Sequence, residues 1–203
     1  MKLLASLTSP YARKIRILLA EKSLPFELVV DSPWEANTRV PDVNPLGKVP
    51  ALVLDSGEVF FDSPVVAGYL ETLDAAPALI PTGGIERVRV RQTEALADGI
   101  LDAAVVAFLE SKRPPEQQSA VIIERQLDKI RRSLDELEKR ASGREWLSGK
   151  TIQLDDISVG VALGYLDLRL PQTDWQTGRP ALVALSTRLF ARPSFADSVP
   201  PAG

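Results

Sequence analysis

The chain has 203 residues, 45% hydrophobic and 25% charged, with a net charge of −3. That balance is ordinary for a soluble globular protein of one large or two small domains, and it lacks the basic excess that marks a nucleic-acid partner. There is no cysteine and no histidine, so disulfides, cysteine nucleophiles, thiolate metal sites and a Ser-His triad are excluded, and a transition metal would find only carboxylates.

Lys2–Ala5 reads as a short buried strand. Ser9-Pro10 then opens a helix, serine being a favoured N-cap and proline a favoured first helical residue. Ile15, Leu18 and Leu19 follow at helical spacing, which leaves Arg13, Lys14 and Arg16 for the wet face. Phe26–Val30 is a second strand, and a strand–helix–strand order implies a parallel pair. Residues 31–43 are irregular, with a short helix expected at Trp34–Arg39. Ala51–Leu54 and Glu58–Phe61 flank Asp55-Ser56-Gly57 as a hairpin. Asp62-Ser63-Pro64 repeats the Ser-Pro helix start, and Val65, Val66, Tyr69, Leu70 and Leu73 carry the apolar spacing.

Pro77–Gly84 is rich in Pro, Gly and Ala and reads as a linker, after which strand signals stop. Glu86–Glu110 is a long helix whose small residues Ala97, Gly99, Ala103 and Ala104 suit close packing. Lys112-Arg113-Pro114-Pro115 breaks it. Ile123, Leu127, Ile130, Leu134 and Leu137 then step by fours and threes, the seam of a helix bundle. Asp156–Leu166 is apolar nearly all round and should be a central core helix. Ala181–Ala191 gives one more helix, and the Pro-rich stretch from Pro193 is expected to be loosely ordered. The expected organisation is an α/β domain over residues 1–76, a linker over 77–84 and an all-α domain over 85–203. Met1-Lys2-Leu3-Leu4 lacks a signal peptide's apolar core, and the run Ile157–Leu166 is too short to span a bilayer. A cytoplasmic protein with no membrane partner is expected.

Two features carry chemistry. The loop Asn44-Pro45-Leu46-Gly47-Lys48-Val49-Pro50 runs straight into a strand. Proline cannot donate to a ladder, so Pro50 sits at a strand's start or edge. Val49–Pro50 is a candidate cis bond. A cis bond would turn the Val49 N–H and C=O outward, where an extended peptide could pair with them. A plain loop entering a strand is the alternative. Ser9 and Ser63 each precede a proline at a helix start, where free N–H groups and a partial positive charge suit an anion. Two such ends could hold a dianionic peptide, or be ordinary N-caps.

The pattern Asn-Pro-x-Gly-x-Val-Pro at 44–50, the hairpin, Asp62-Ser63 and the upstream Thr8-Ser9-Pro10-Tyr11 together resemble the glutathione S-transferase family, its bacterial serine-type members in particular. The resemblance spans nearly the whole chain. It implies a thioredoxin-like α/β domain followed by an all-α helical bundle domain. It implies a cis Pro50, a Val49 backbone paired with the cysteinyl unit of glutathione, Ser63 on the γ-glutamyl carboxylate with Asp62 near the amino group, and a Ser9 hydroxyl donated to the sulfur. Thr8 is the competing hydroxyl. The bound thiolate, not serine, would be the nucleophile. Lowering a thiol pKa from ~8.5 by ~2 units takes ~2.7 kcal/mol. A hydrogen bond to a charged acceptor supplies roughly 1.5–3 kcal/mol and a helix end about 0.3–1 kcal/mol, so no histidine is required.

The same resemblance makes Lys48 and Trp34 candidates for the glycine carboxylate of glutathione. It places an acceptor pocket between Ser9–Arg13 and the all-α half, with Tyr11, Arg13, Tyr165 and Arg169 as candidates. Asp98 becomes a candidate for reaching the other subunit's glutathione in a homodimer. The core helix of the family opens with Ser/Thr-x-x-Asp; here Gln153 precedes Asp156, so Thr151 or Asp155 is expected to support that helix start. The implied activity is conjugation of glutathione, as co-substrate and without a metal, to small electrophilic hydrophobic substrates, as in detoxification. A glutathione-dependent disulfide reductase and a non-catalytic scaffold of the stringent starvation type share the same fold and stand as alternatives.

Overall fold

The computed structural model describes residues 1–201. It divides into two units, Met1–Ile80 together with the segment from Pro193 onward, and Pro81–Arg192.

The first unit is built on four strands, β1 (Lys2–Ala5), β2 (Glu27–Val30), β3 (Ala51–Val53) and β4 (Val59–Phe60), in the order β2-β1-β3-β4. β1 runs parallel to β2, with Leu3 opposite Leu28, and antiparallel to β3, with Leu3 opposite Leu52. β3 and β4 form the expected hairpin, Leu52 facing Phe60. The central strands are the apolar ones: Leu3, Ala5, Ala51 and Leu52 are wholly buried. Helix α1 (Pro10–Glu21) joins β1 to β2 and packs against α3 (Ser63–Glu71). On α3, Val66, Ala67 and Leu70 are buried, whereas Val65, and Leu73 just past the helix end, stay exposed.

Trp34–Arg39 is not helical; the helix expected there forms instead at α2 (Val40–Val43). The Asp31 carboxylate accepts the Thr38 hydroxyl at 2.7 Å and the Arg39 N–H at 2.9 Å. Those bonds close the loop, and Pro41 stands in the first turn of the helix that follows.

The wet face expected of α1 is also overturned. Arg13 is 6% exposed and Lys14 0%. For Arg13 the reason lies far along the sequence. Residues 193–198 are ordered: α8 (Pro193–Ala196) packs on α1, and Phe195 is 1% exposed. Arg13 Nε donates to Ser198 Oγ at 3.3 Å and Nη2 to the Phe195 carbonyl at 3.2 Å, with the guanidinium 5.8 Å from the Phe195 ring centroid. Arg16 donates to the carbonyls of Asp197 and Ser198, and the Ser194 hydroxyl to Glu21. Burial, helped by the Arg16 charge, lowers the Arg13 pKa to about 10, so it remains a cation at neutral pH.

Just past α1, Lys22 anchors the chain that leaves α3. Its ammonium is buried and donates to the carbonyls of Ala75 at 2.7 Å and Pro77 at 2.8 Å, and it pairs with Glu71 at 3.0 Å. Glu71 in turn accepts the Leu79 N–H. A buried cation with three oxygen partners is the arrangement that offsets its desolvation.

The second unit is helical: α4 (Gly84–Ser111), α5 (Ala120–Ala141), α6 (Leu154–Arg169) and α7 (Pro180–Phe190). α4 packs on α5 and α6, and α7 on the same two. Ile130, Leu134 and Leu137 form the buried seam of α5 as expected, and α6 is the core helix, buried from Leu154 through Leu163. Ala97, Ala103 and Ala104 do not form a free packing face; they are buried within the chain, and only Gly99 is exposed. Around Gly99, nothing lies within 4 Å of where a Cβ would stand.

The start of α6 is held by Asp156. One oxygen accepts the Leu147 N–H at 2.8 Å and the other the Gln153 N–H at 2.9 Å. Asp155 accepts the Asp156 N–H at 3.0 Å. Gln153 Oε1 is buried without a partner, so of the two supports expected, Asp155 contributes to the helix start. No helix among the described residues is long and apolar enough to cross a membrane.

Candidate functional site

Three backbone features of the first unit set the site. The first is the start of α1. Ser9 has extended backbone angles, Pro10 follows as the first helical residue, and Ser9 Oγ accepts the Ala12 N–H at 3.3 Å. That bond uses an oxygen lone pair and leaves the hydroxyl proton to be donated elsewhere. Ser9 is half-buried. Thr8 Oγ1 lies 3.3 Å from Ser6 Oγ, so the competing hydroxyl already has a neighbour. Tyr11, in the first turn, is half-buried.

The second feature is the loop into β3, in which the Val49–Pro50 bond is cis. Asn44 organises it, a residue to which the sequence reading assigned no role. Its amide donates to the Lys48 carbonyl at 2.7 Å, its side-chain oxygen accepts the Leu46 N–H at 3.0 Å, and its carbonyl accepts the Gly47 N–H at 2.8 Å. Gly47 has φ +61°, where a side chain would be strained. Val49 emerges half-exposed, and neither its N–H nor its C=O has a hydrogen-bond partner among the described residues. The signal for Asn44 was its place before a proline, where an Asx side chain tends to cap its own turn.

The third is the start of α3, which sits one residue earlier than a Ser63 cap would place it. Asp62 is the N-cap and Ser63 the first helical residue, with Pro64 behind it. The Phe61–Asp62 bond is cis as well. Ser63 is 1% exposed, and its hydroxyl makes no hydrogen bond among the described residues. A buried hydroxyl without a partner at a helix N-terminus is poised for an anion. Asp62 is exposed beside it.

Family models for the N-terminal and C-terminal domains of glutathione S-transferases match residues 8–73 and 120–188. The uncharacterized GST-like protein YibF of Escherichia coli (strain K12) is 47% identical over 201 residues, 99% of either chain. The chain belongs to the glutathione S-transferase family. A glutathione S-transferase from Methylobacterium radiotolerans JCM 2831, solved in complex with glutathione sulfonate, has a TM-score of 0.95 at 44% identity, covering 100% of this chain and 95% of that one. A family member from Pseudomonas fluorescens Pf-5, solved with bound S-(propanoic acid)-glutathione, has a TM-score of 0.87 at 38% identity, covering 99% and 100%. The four-stranded unit and the helical unit are the thioredoxin-like and all-α parts of this glutathione S-transferase fold.

The remaining candidates are more scattered. Lys48 is exposed, and Trp34, 77% exposed, stands on the loop before α2. Arg13 donates through Nε and Nη2 to the returning Phe195–Ser198 segment. In the second unit, Asp98 is half-buried at the middle of α4. Tyr165 is largely buried in the last turns of α6, and Arg169 ends that helix with its guanidinium against the Phe108 ring.

Proposed function

We propose that this glutathione S-transferase conjugates glutathione to a small electrophile. In this reading Val49 pairs with the cysteinyl backbone of glutathione beside the cis Pro50. Ser63 and the N-terminus of α3 hold its γ-glutamyl carboxylate, with Asp62 near the amino group. Ser9 donates to the sulfur and favours its anion. The thiolate attacks an electrophilic carbon, a sulfur–carbon bond forms, and the leaving group departs with the bonding pair. The observation that carries this reading is the Ser9 hydroxyl at the start of α1, engaged as an acceptor and free to donate. Lys48 and Trp34 are proposed for the glycine carboxylate. The protein is proposed to work as a homodimer with Asp98 facing the other subunit; light scattering is expected to give twice the chain mass, and a value for a single chain would end the Asp98 assignment.

The test separates binding from activation. Ser63→Ala is expected to weaken glutathione binding by about 1–3 kcal/mol, the cost of a lost bond to a charged partner. Ser9→Ala is expected to leave affinity for the neutral thiol nearly intact and to raise the bound thiol's pKa toward ~8.5, its free value. Thiolate absorbance against pH, with glutathione bound, reads that pKa, and turnover of a generic aryl halide reports whether the anion is used. If wild type binds glutathione with an unshifted thiol and no turnover, a non-catalytic scaffold is the better reading. If Thr8→Ala rather than Ser9→Ala abolishes the shift, the hydroxyl has been misassigned.

A further inference from the structure

Two cations of the second unit share one aromatic ring. The Arg169 guanidinium lies 4.7 Å from the Phe108 ring centroid and the Lys112 ammonium 5.1 Å from it. They therefore stand within about 10 Å of each other, no more than one Debye length in 0.1 M salt. Neither has an acidic partner among the described residues. The Arg169 Nε is buried and unpartnered. The acids nearest in sequence are engaged elsewhere: Glu110 with Arg113 and the Ser119 N–H, and Asp167 with the Trp175 indole at 2.7 Å. The Tyr165 hydroxyl faces Arg169, and burial raises its pKa, so it keeps a proton to donate.

Cations gathered on one ring repel each other, and a half-buried guanidinium with unmet donors carries an uncompensated desolvation cost. An anion relieves both. A carboxylate matches the planar fork of arginine, while lysine serves it as a point charge. The Phe108 ring supplies an apolar wall that bare phosphate cannot use.

We propose that Arg169, Lys112 and Tyr165, gathered around Phe108 within the second unit, form a binding site for the carboxylate of a small aromatic or aliphatic acid. The site stands on the cluster itself and is independent of the conjugation reading above.

Calorimetry on the full chain with dinitrobenzoate and, separately, neutral dinitrobenzene tests the site without any turnover. The benzoate is expected to bind at least about 10-fold more tightly, and less tightly as salt is raised. Arg169→Met should weaken it by about 10- to 100-fold, Arg169→Lys should recover part of that loss, and Lys112→Met, at an exposed position, should give a smaller loss. Equal binding of the two compounds, no effect of Arg169→Met and Lys112→Met, or displacement by inorganic phosphate at equal concentration would overturn the site.

Discussion

Asp156→Ala is expected to lower the unfolding free energy by at least about 1–3 kcal/mol, because it strands the buried Leu147 N–H at that cost and the part-buried Gln153 N–H besides. The carboxylate ties the Leu147 N–H to the Gln153 N–H across the start of α6. The site also has a pH signature. Asp155 and Asp156 are both wholly buried, and burial together with the Asp155 charge pushes the Asp156 pKa up to about 7. Both Asp156 oxygens accept N–H groups, Asp155 Oδ2 has no hydrogen-bond partner, and burial raises the Asp155 pKa as well, so the two carboxyls share a proton. Between about pH 4 and pH 7 the folded chain holds a proton that the unfolded chain releases. The unfolding free energy therefore falls as pH rises through that window, by at most about 1.4 kcal/mol per pH unit, and this contribution levels off above it. Urea denaturation at pH 5 and pH 8 measures it. Asp155→Asn should flatten the slope relative to wild type; an unchanged slope would mean the pair carries no shared proton.

Phe195→Ala is expected to cost about 3–5 kcal/mol, the range for emptying a buried aromatic site. In a chain of this size that lowers the melting temperature by roughly 6–20 °C. Val199→Ala, four residues on and 62% exposed, should change stability by less than about 0.5 kcal/mol. The contrast matters because both residues lie in a stretch whose composition reads as disordered. If the two substitutions behave alike, the segment is not held against α1 as described. Calorimetric melts of the two variants decide it.

What could be read in advance was what neighbouring residues determine. Ser9-Pro10 opening a helix, the hairpin around Asp55-Ser56-Gly57 and the cis bond before Pro50 each depend on a few adjacent residues, and all three are found. The α5 seam follows from periodicity alone. Arg13 was read as solvated because its cover arrives from about 180 residues away, and no local pattern encodes that return. Ser63 was legible as a site residue but not as the first residue inside its helix, since Asp62 and Ser63 are both good caps and only the backbone angles choose between them. Asn44 went unassigned because its work is to shape backbone. Lys112 looked like part of a helix break; Arg169, with which it shares the Phe108 ring, comes from a different helix.

The return of the Pro193–Ser198 segment to α1 also constrains how the protein is made. The first unit is discontinuous: its sheet and first helix are synthesised early, but the piece that covers Arg13 emerges only after the more than one hundred residues of Pro81–Arg192. At translation rates of about 5–20 residues per second, α1 waits on the order of ten seconds on the ribosome with Arg13 uncovered. A nascent chain stalled at Ile80 should therefore resist protease poorly along α1 and gain protection only once Ser198 has cleared the exit, so the amino-terminal unit is among the last parts of this chain to mature.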